Sequence, residues 1–248
     1  MKSLIILVTI LSLFSMQLIA QVRFQTDVSN LADGVHELTV SGVKCKGMVS
    51  KGKQTGAWTA VFENGQLHIL QYFNQGMLDG LYVEIEKNGF IAVQAEMMQD
   101  KLNGRYLKFR TGGKITLEEN YKDGLLHGSR KVYYDRGKIQ EDAMFAAGVK
   151  NGPSYWFDEE GNRLATYHYK AGLFDGEQFT YYPGGGLKSE LNYVANKKEG
   201  KFQDYFDNGK SRTIGNYKAD LKDGVWQEFD QEGKLLKQSH FKMGVEIH

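Results

Sequence analysis

The stretch from Gly200 to Gly224, GKFQDYFDNGKSRTIGNYKADLKDG, decides the fold of this chain. Its first glycine recurs every 24 residues, at Gly56, Gly80, Gly104, Gly128, Gly152, Gly176, Gly200 and Gly224. Its second, Gly209, keeps the same period through Gly65, Gly89, Gly113, Gly137, Gly161, Gly185 and Gly233. Self-similarity at a fixed period is the mark of a repeat architecture, in which each copy buries its apolar surface against its neighbours.

Two further columns are apolar or aromatic in every copy. Five residues after the first glycine stand Val61, Ile85, Phe109, Tyr133, Phe157, Tyr181, Tyr205 and Phe229. Seventeen residues after it stand Phe73, Met97, Tyr121, Phe145, Tyr169, Tyr193, Tyr217 and Phe241. The runs between are rich in β-formers, so each copy reads as strand, tight turn, strand, looser turn. At the tight turn, Glu63-Asn64-Gly65 and Asp207-Asn208-Gly209 end on a glycine suited to positive φ. A two-residue turn would set the two columns on opposite faces. A three-residue loop with a glycine bulge sets both on one face with Leu67, Ile91, Ile115, Ile139, Leu187 and Leu235, and is the reading adopted. The looser turn falls at Gly52, Gly76, Asp100, Gly124, Gly148, Gly172, Asn196, Asp220 and Gly244, residues that tolerate a left-handed backbone. The expected fold is all-β: an elongated antiparallel β-hairpin array, a single twisted sheet of 24-residue units. Residues 52–248 hold eight units and residues 21–51 a degenerate one that caps the first edge.

The amino terminus reads as a secretory signal over residues 1–20. Lys2 precedes the apolar run Leu4 to Phe14, and cleavage is expected after Ala20. An uncleaved anchor is the alternative, for which the run is short. The expected location is therefore the periplasm, the cell envelope or the medium. Loss of residues 1–20 removes one positive charge, Lys2, from 31 Lys and Arg, which then equal the 30 Asp and Glu. That balance does not favour nucleic acid as a partner. The only cysteine, Cys45, has no partner in the chain for a disulfide and reads as a small buried residue.

No nucleophile elbow, zinc-binding His-Glu-x-x-His or P-loop occurs. The histidines scatter over different columns, and no cofactor or metal is expected. The turn-proximal Asp79, Asn103, His127, Asn151, Asp175, Glu199 and Asp223 recur about 9.5 Å apart, too far to share a cation. No enzyme is expected. What remains is a second face with irregular aromatics: Trp58, Tyr82, Tyr106, Tyr134, Trp156, Tyr182, Phe202 and Trp226 form the candidate binding surface. Sheet stabilisation by cross-strand aromatic pairs is the competing reading. If the second face binds, Trp226→Ala should cost less stability than Tyr169→Ala.

Asp223-Gly224-Val225-Trp226, Asp207-Asn208-Gly209-Lys210 and Tyr121-Lys122-Asp123-Gly124 together give Gly-x-aromatic, Asn-Gly-Lys and aromatic-x-x-Gly. In this the chain, over residues 52–244, resembles the MORN-repeat family, and within it the bacterial variant labelled YwqK-like antitoxin. The resemblance implies a β-hairpin scaffold that binds proteins, lipids or itself; the antitoxin label implies neutralising a toxin. The expected function is an exported, non-enzymatic scaffold with a protein partner in the envelope. Toxin immunity and cell-wall glycan binding are the alternatives, and edge-to-edge self-association is compatible with both.

Overall fold

The computed structural model describes residues 26–247, so the expected signal at 1–20 lies outside the described residues. Every regular element among them is a strand, 21 in all. The chain divides into two compact units. One comprises the described residues up to Tyr106 with Arg110–Gly113, the other Leu107–Phe109 with the described residues from Lys114 onward.

In the first unit β1 (Gly34–Val40), β2 (Val43–Ser50), β3 (Lys53–Val61), β4 (Leu67–Asn74), β5 (Met77–Ile85) and β6 (Ile91–Met98) each pair antiparallel with the next. β7 (Lys101–Arg110) spans the boundary between the units. The second unit continues with β8 (Lys114–Lys122), β9 (Leu125–Tyr133), β10 (Ile139–Ala146), β11 (Val149–Phe157) and β12 (Arg163–Lys170). The next rung is split into β13 (Leu173–Phe174) and β14 (Gly176–Tyr181), followed by β15 (Leu187–Val194), β16 (Lys197–Tyr205) and β17 (Ser211–Lys218). A second split rung, β18 (Leu221–Lys222) and β19 (Gly224–Phe229), precedes β20 (Leu235–Lys242) and β21 (Val245–Ile247).

The loop at each second glycine is the expected three-residue one. Gly65 N–H donates to Phe62 O at 2.8 Å and Phe62 N–H to Gln66 O at 2.8 Å, and Gly209 with Phe206 and Lys210 repeats the arrangement. Gly65 sits at φ 83°, a conformation that would strain any residue with a Cβ. Asn64 and Asn208 accept from the amide two residues on, at 3.0 Å in both cases, which explains the Asn-Gly pair.

The expected grouping of columns fails, although the loop is right. A second bulge lies just inside each loop: Ala60 pairs with Ile69 but Val61 with Leu67, and the same shift recurs at Ile85, Phe157, Tyr181, Tyr205 and Phe229. One extra residue reverses which side faces which. Trp58 and Ala60 therefore share a face with Ile69, Gln71 and Phe73, while Val61 alternates to the reverse face. The column beginning at Val61 and the column beginning at Phe73 stand on opposite faces. The column two residues after the first glycine, read as a second face, joins the Phe73 column instead.

The other turn is not the looser one. Asn74 pairs directly with Met77, Ala146 with Val149 and Lys218 with Leu221, leaving two-residue turns. Both turn residues have positive φ: Gln75 and Gly76 at 49° and 85°, Ala171 and Gly172 at 50° and 83°, Ala219 and Asp220 at 47° and 71°. Such turns match the twist of the flanking strands. The first glycine of each unit serves a third irregularity. Between Tyr82, which pairs with Gln71, and Leu78, which pairs with Phe73, Gly80 sits at φ 123° in a bulge, and an added Cβ would lie 3.1 Å from Tyr72 Cβ. The 24-residue period thus encodes two turns and two bulges.

Candidate interaction surface

The candidate binding residues do not form an exposed surface, and this corrects the expectation. Trp58 is 1% exposed and Trp226 4%; Tyr106 is also buried. Trp58 packs edge-on against Phe73 at 6.3 Å, and Trp226 stacks on Phe202 at 5.6 Å with Tyr217 edge-on at 5.0 Å. The indole nitrogens donate to backbone oxygens, Trp58 to Met48 O at 3.0 Å and Trp226 to Asn216 O at 3.1 Å. Tyr134 and Tyr182 are half-buried by their own bonds across the next unit, to Phe157 O at 2.8 Å and Tyr205 O at 2.6 Å. Tyr82 is half-buried, and burial raises its phenol well above the usual range. Trp156 is half-buried under Lys150, whose Nζ lies 5.5 Å from the indole centroid. Trp58, Tyr106 and Trp226 belong to the core, so Trp226→Ala is expected to cost at least as much as Tyr169→Ala, the reverse of the sequence-based order.

Room for the two large indoles comes from the preceding unit. Gly47 pairs with Trp58, and an added Cβ there would lie 2.2 Å from Trp58 Cδ2. At Gly215 it would lie 2.2 Å from Trp226 Cδ2. Neither glycine belongs to the periodic columns, and sequence reading passed over both. The signal was present: the two repeats with Trp at this position are the two preceded by Gly nine residues before their first glycine.

Where Arg130 replaces the aromatic, the row becomes polar. Arg130 Nε donates to Glu119 Oε1 at 3.0 Å and Nη1 to Glu141 Oε2 at 2.5 Å. Lys150 Nζ donates to Glu141 Oε1 at 2.6 Å, and Tyr121 Oη to Glu119 Oε2 at 2.8 Å. Both carboxylates are buried, and each is compensated by a cation. On the reverse face, Tyr133 donates to Glu118 at 3.1 Å and Tyr205 to Glu190 at 3.2 Å, the same pair of columns three repeats apart.

Four members of the turn-proximal polar column are held by backbone amides. Asn151, Asp175, Glu199 and Asp223 accept from the amides of Ala171, Ala195, Ala219 and Met243, at 2.8 to 3.2 Å. Each side chain stitches one turn to the next. Among the described residues no three His, Cys, Asp or Glu gather where a metal ion would fit.

What is exposed is the edge formed by the two-residue turns of the second unit. The residues flanking each turn face one another across it: Lys122 with Leu125, Ala146 with Val149, Lys170 with Leu173, Val194 with Lys197, Lys218 with Leu221, and Lys242 with Val245. Five of these six pairs join one lysine to one aliphatic residue. Leu125 and Val194 are each 51% exposed, and Val245 65%. The turn tips add Ala147, Ala171, Ala195 and Ala219. The three-residue loops are polar by contrast, as in Asp135-Arg136-Gly137 and Asp207-Asn208-Gly209.

Residues 126–147, 174–195, 198–219 and 222–243 match the family model described as the MORN repeat variant. These are MORN-variant repeats. The matched segments run from the strand after one two-residue turn to the next such turn, so the MORN unit and the structural hairpin coincide. No curated protein matches the chain. The array is a repeat scaffold, with MORN-variant repeats at these four segments, whose fixed columns are occupied by turns, bulges and packing.

Proposed function

We propose that this chain is an exported, non-enzymatic MORN-repeat scaffold that binds a protein partner in the cell envelope. The observation that carries this reading is how the polar groups are used. The turn carboxylates bind turn amides, the Tyr134 and Tyr182 hydroxyls bind backbone, and the buried ions bind each other. No convergent set of catalytic groups is left over among the described residues, while an exposed strip of lysine and aliphatic side chains is. Export is supported by the signal-like residues 1–20. Toxin neutralisation, which the YwqK-like resemblance implies, is the narrower form of the same reading, with a toxin as the partner.

The test is affinity capture from envelope extract with residues 21–248 as bait, alongside fractionation and amino-terminal sequencing of the expressed chain. The expected result is a chain in the envelope fraction that begins at Gln21 and retains one protein in stoichiometric amount. Retention of glycan alone, or a chain confined to the cytoplasm, overturns the proposal. Trp58 and Trp226 are unsuitable as binding-site controls, because both are core.

A further inference from the structure

We infer that the two-residue-turn edge of the second unit is a docking strip for an extended acidic peptide with an aliphatic residue at every third position. This rests on the protein-binding reading above and names the partner's chemistry. Three observations carry it.

The first is composition. Five of the six turns carry one aliphatic side chain and one ammonium, as in Leu125 with Lys122, Leu173 with Lys170 and Leu221 with Lys218. These three lysines are exposed and take no carboxylate partner among the described residues. The nearby acids Asp175, Glu199 and Asp223 are turned onto backbone amides. Asp220, in the turn between Lys218 and Leu221, likewise accepts from the Lys198 amide at 2.8 Å, so these carboxylates are committed to backbone while the three ammonium groups are not, and the complement of those ammonium groups is acidic.

The second is backbone strain. Ala147, Ala171, Ala195 and Ala219 hold φ of 47–50°, where Asn or Gly would sit at less cost. The first residue of the other two-residue turns has the same φ, as at Gln75 and Gln99 in the first unit, but only here do four successive turns place alanine there, which keeps the strip apolar and low in profile.

The third is pitch. Successive turns lie two strands apart, about 9.5 Å. A polyproline II segment advances about 9.3 Å in three residues, so every third side chain meets the next turn. An α-helix offers about 10.5 Å per heptad, a mismatch that grows by about 1 Å at each turn. An extended chain stays in register along the strip and a helix does not.

The test is fluorescence anisotropy with the full chain and a labelled (Leu-Glu-Pro)5 peptide. Binding is expected, weakening at least tenfold between 0.05 and 0.5 M salt. It should weaken at least tenfold for (Leu-Lys-Pro)5 and for the Leu125→Ser/Leu173→Ser/Leu221→Ser variant. Should that variant melt early, Lys122→Glu/Lys170→Glu/Lys218→Glu, which alters only exposed ammonium groups, must abolish binding instead. Failure of (Leu-Glu-Pro)5 to bind, unchanged binding by both variants, tighter binding of an acidic heptad helix, or binding of phosphatidylglycerol vesicles in place of peptide overturns the inference. A protein captured from envelope extract equally well by both variants would overturn the docking strip and leave the scaffold reading standing.

Discussion

At the residue scale, size is matched across neighbouring repeats. Gly215 lies beneath Trp226 in an ordinary strand conformation, so its missing side chain answers to the indole and not to the backbone. Gly215→Ala is expected to destabilise the chain by about 1–3 kcal/mol, the usual cost of overpacking a core. In urea denaturation, Trp226→Phe in the same chain should recover part of that loss, and strict additivity of the two substitutions would refute the size match. A second residue-scale expectation concerns alkaline pH. Burial, with Tyr167 and Glu141 nearby, pushes the Tyr169 phenol up to about 12 from an ordinary value of 10. Burial raises Tyr193 and Tyr217 in the same direction. The unfolded chain therefore releases these protons first. Their contribution is complete below pH 10 and is lost as pH rises toward 12. Denaturation midpoints should fall across that window, and Tyr169→Phe should flatten the fall.

At the element scale, the hairpins carry two different turns, and their sequences reveal them unequally. The three-residue loop was legible from Asn64-Gly65 and Asn208-Gly209, because the chemistry of those pairs is local. The two-residue turn was not, because Ala171 and Ala219 are poor candidates for a left-handed backbone and only the pairing of their flanks forces it. Ala171→Gly should therefore raise stability. The left-handed alanine costs about 1–2 kcal/mol, offset by up to about 1 kcal/mol of added freedom in the unfolded chain. A melting temperature lowered by this substitution would show that the turn is not strained. The faces of the sheet were illegible for a related reason. A bulge between Ala60 and Val61 leaves no compositional mark, yet it decides which aromatic column is core. Period and strand count follow from spacing alone, whereas side assignment needs every inserted residue counted.

At the scale of the whole molecule, stability is a sum over neighbouring repeats, so removal of one period should leave a folded chain. Where the cut falls matters. Deleting 200–223 brings Trp226 opposite Leu191 in place of Gly215, while deleting 209–232 removes Gly215 and Trp226 together and sets Phe202 opposite Ser239. Both deletions remove 24 residues, and each rejoins the chain at an equivalent position of the repeat, so the remaining loops and turns are unbroken. The second is expected to be more stable by about 1–3 kcal/mol in chemical denaturation, and equal stabilities would show that the indole adapts to its neighbour. The pairing of Gly47 with Trp58 and of Gly215 with Trp226 has a bearing on how such a gene can grow. Unequal recombination that breaks at the first glycine separates an indole from its recess, whereas a break at the Asn-Gly loop hands both on together. The heritable module in this chain runs from loop to loop, half a repeat out of phase with the glycine that first announces the period.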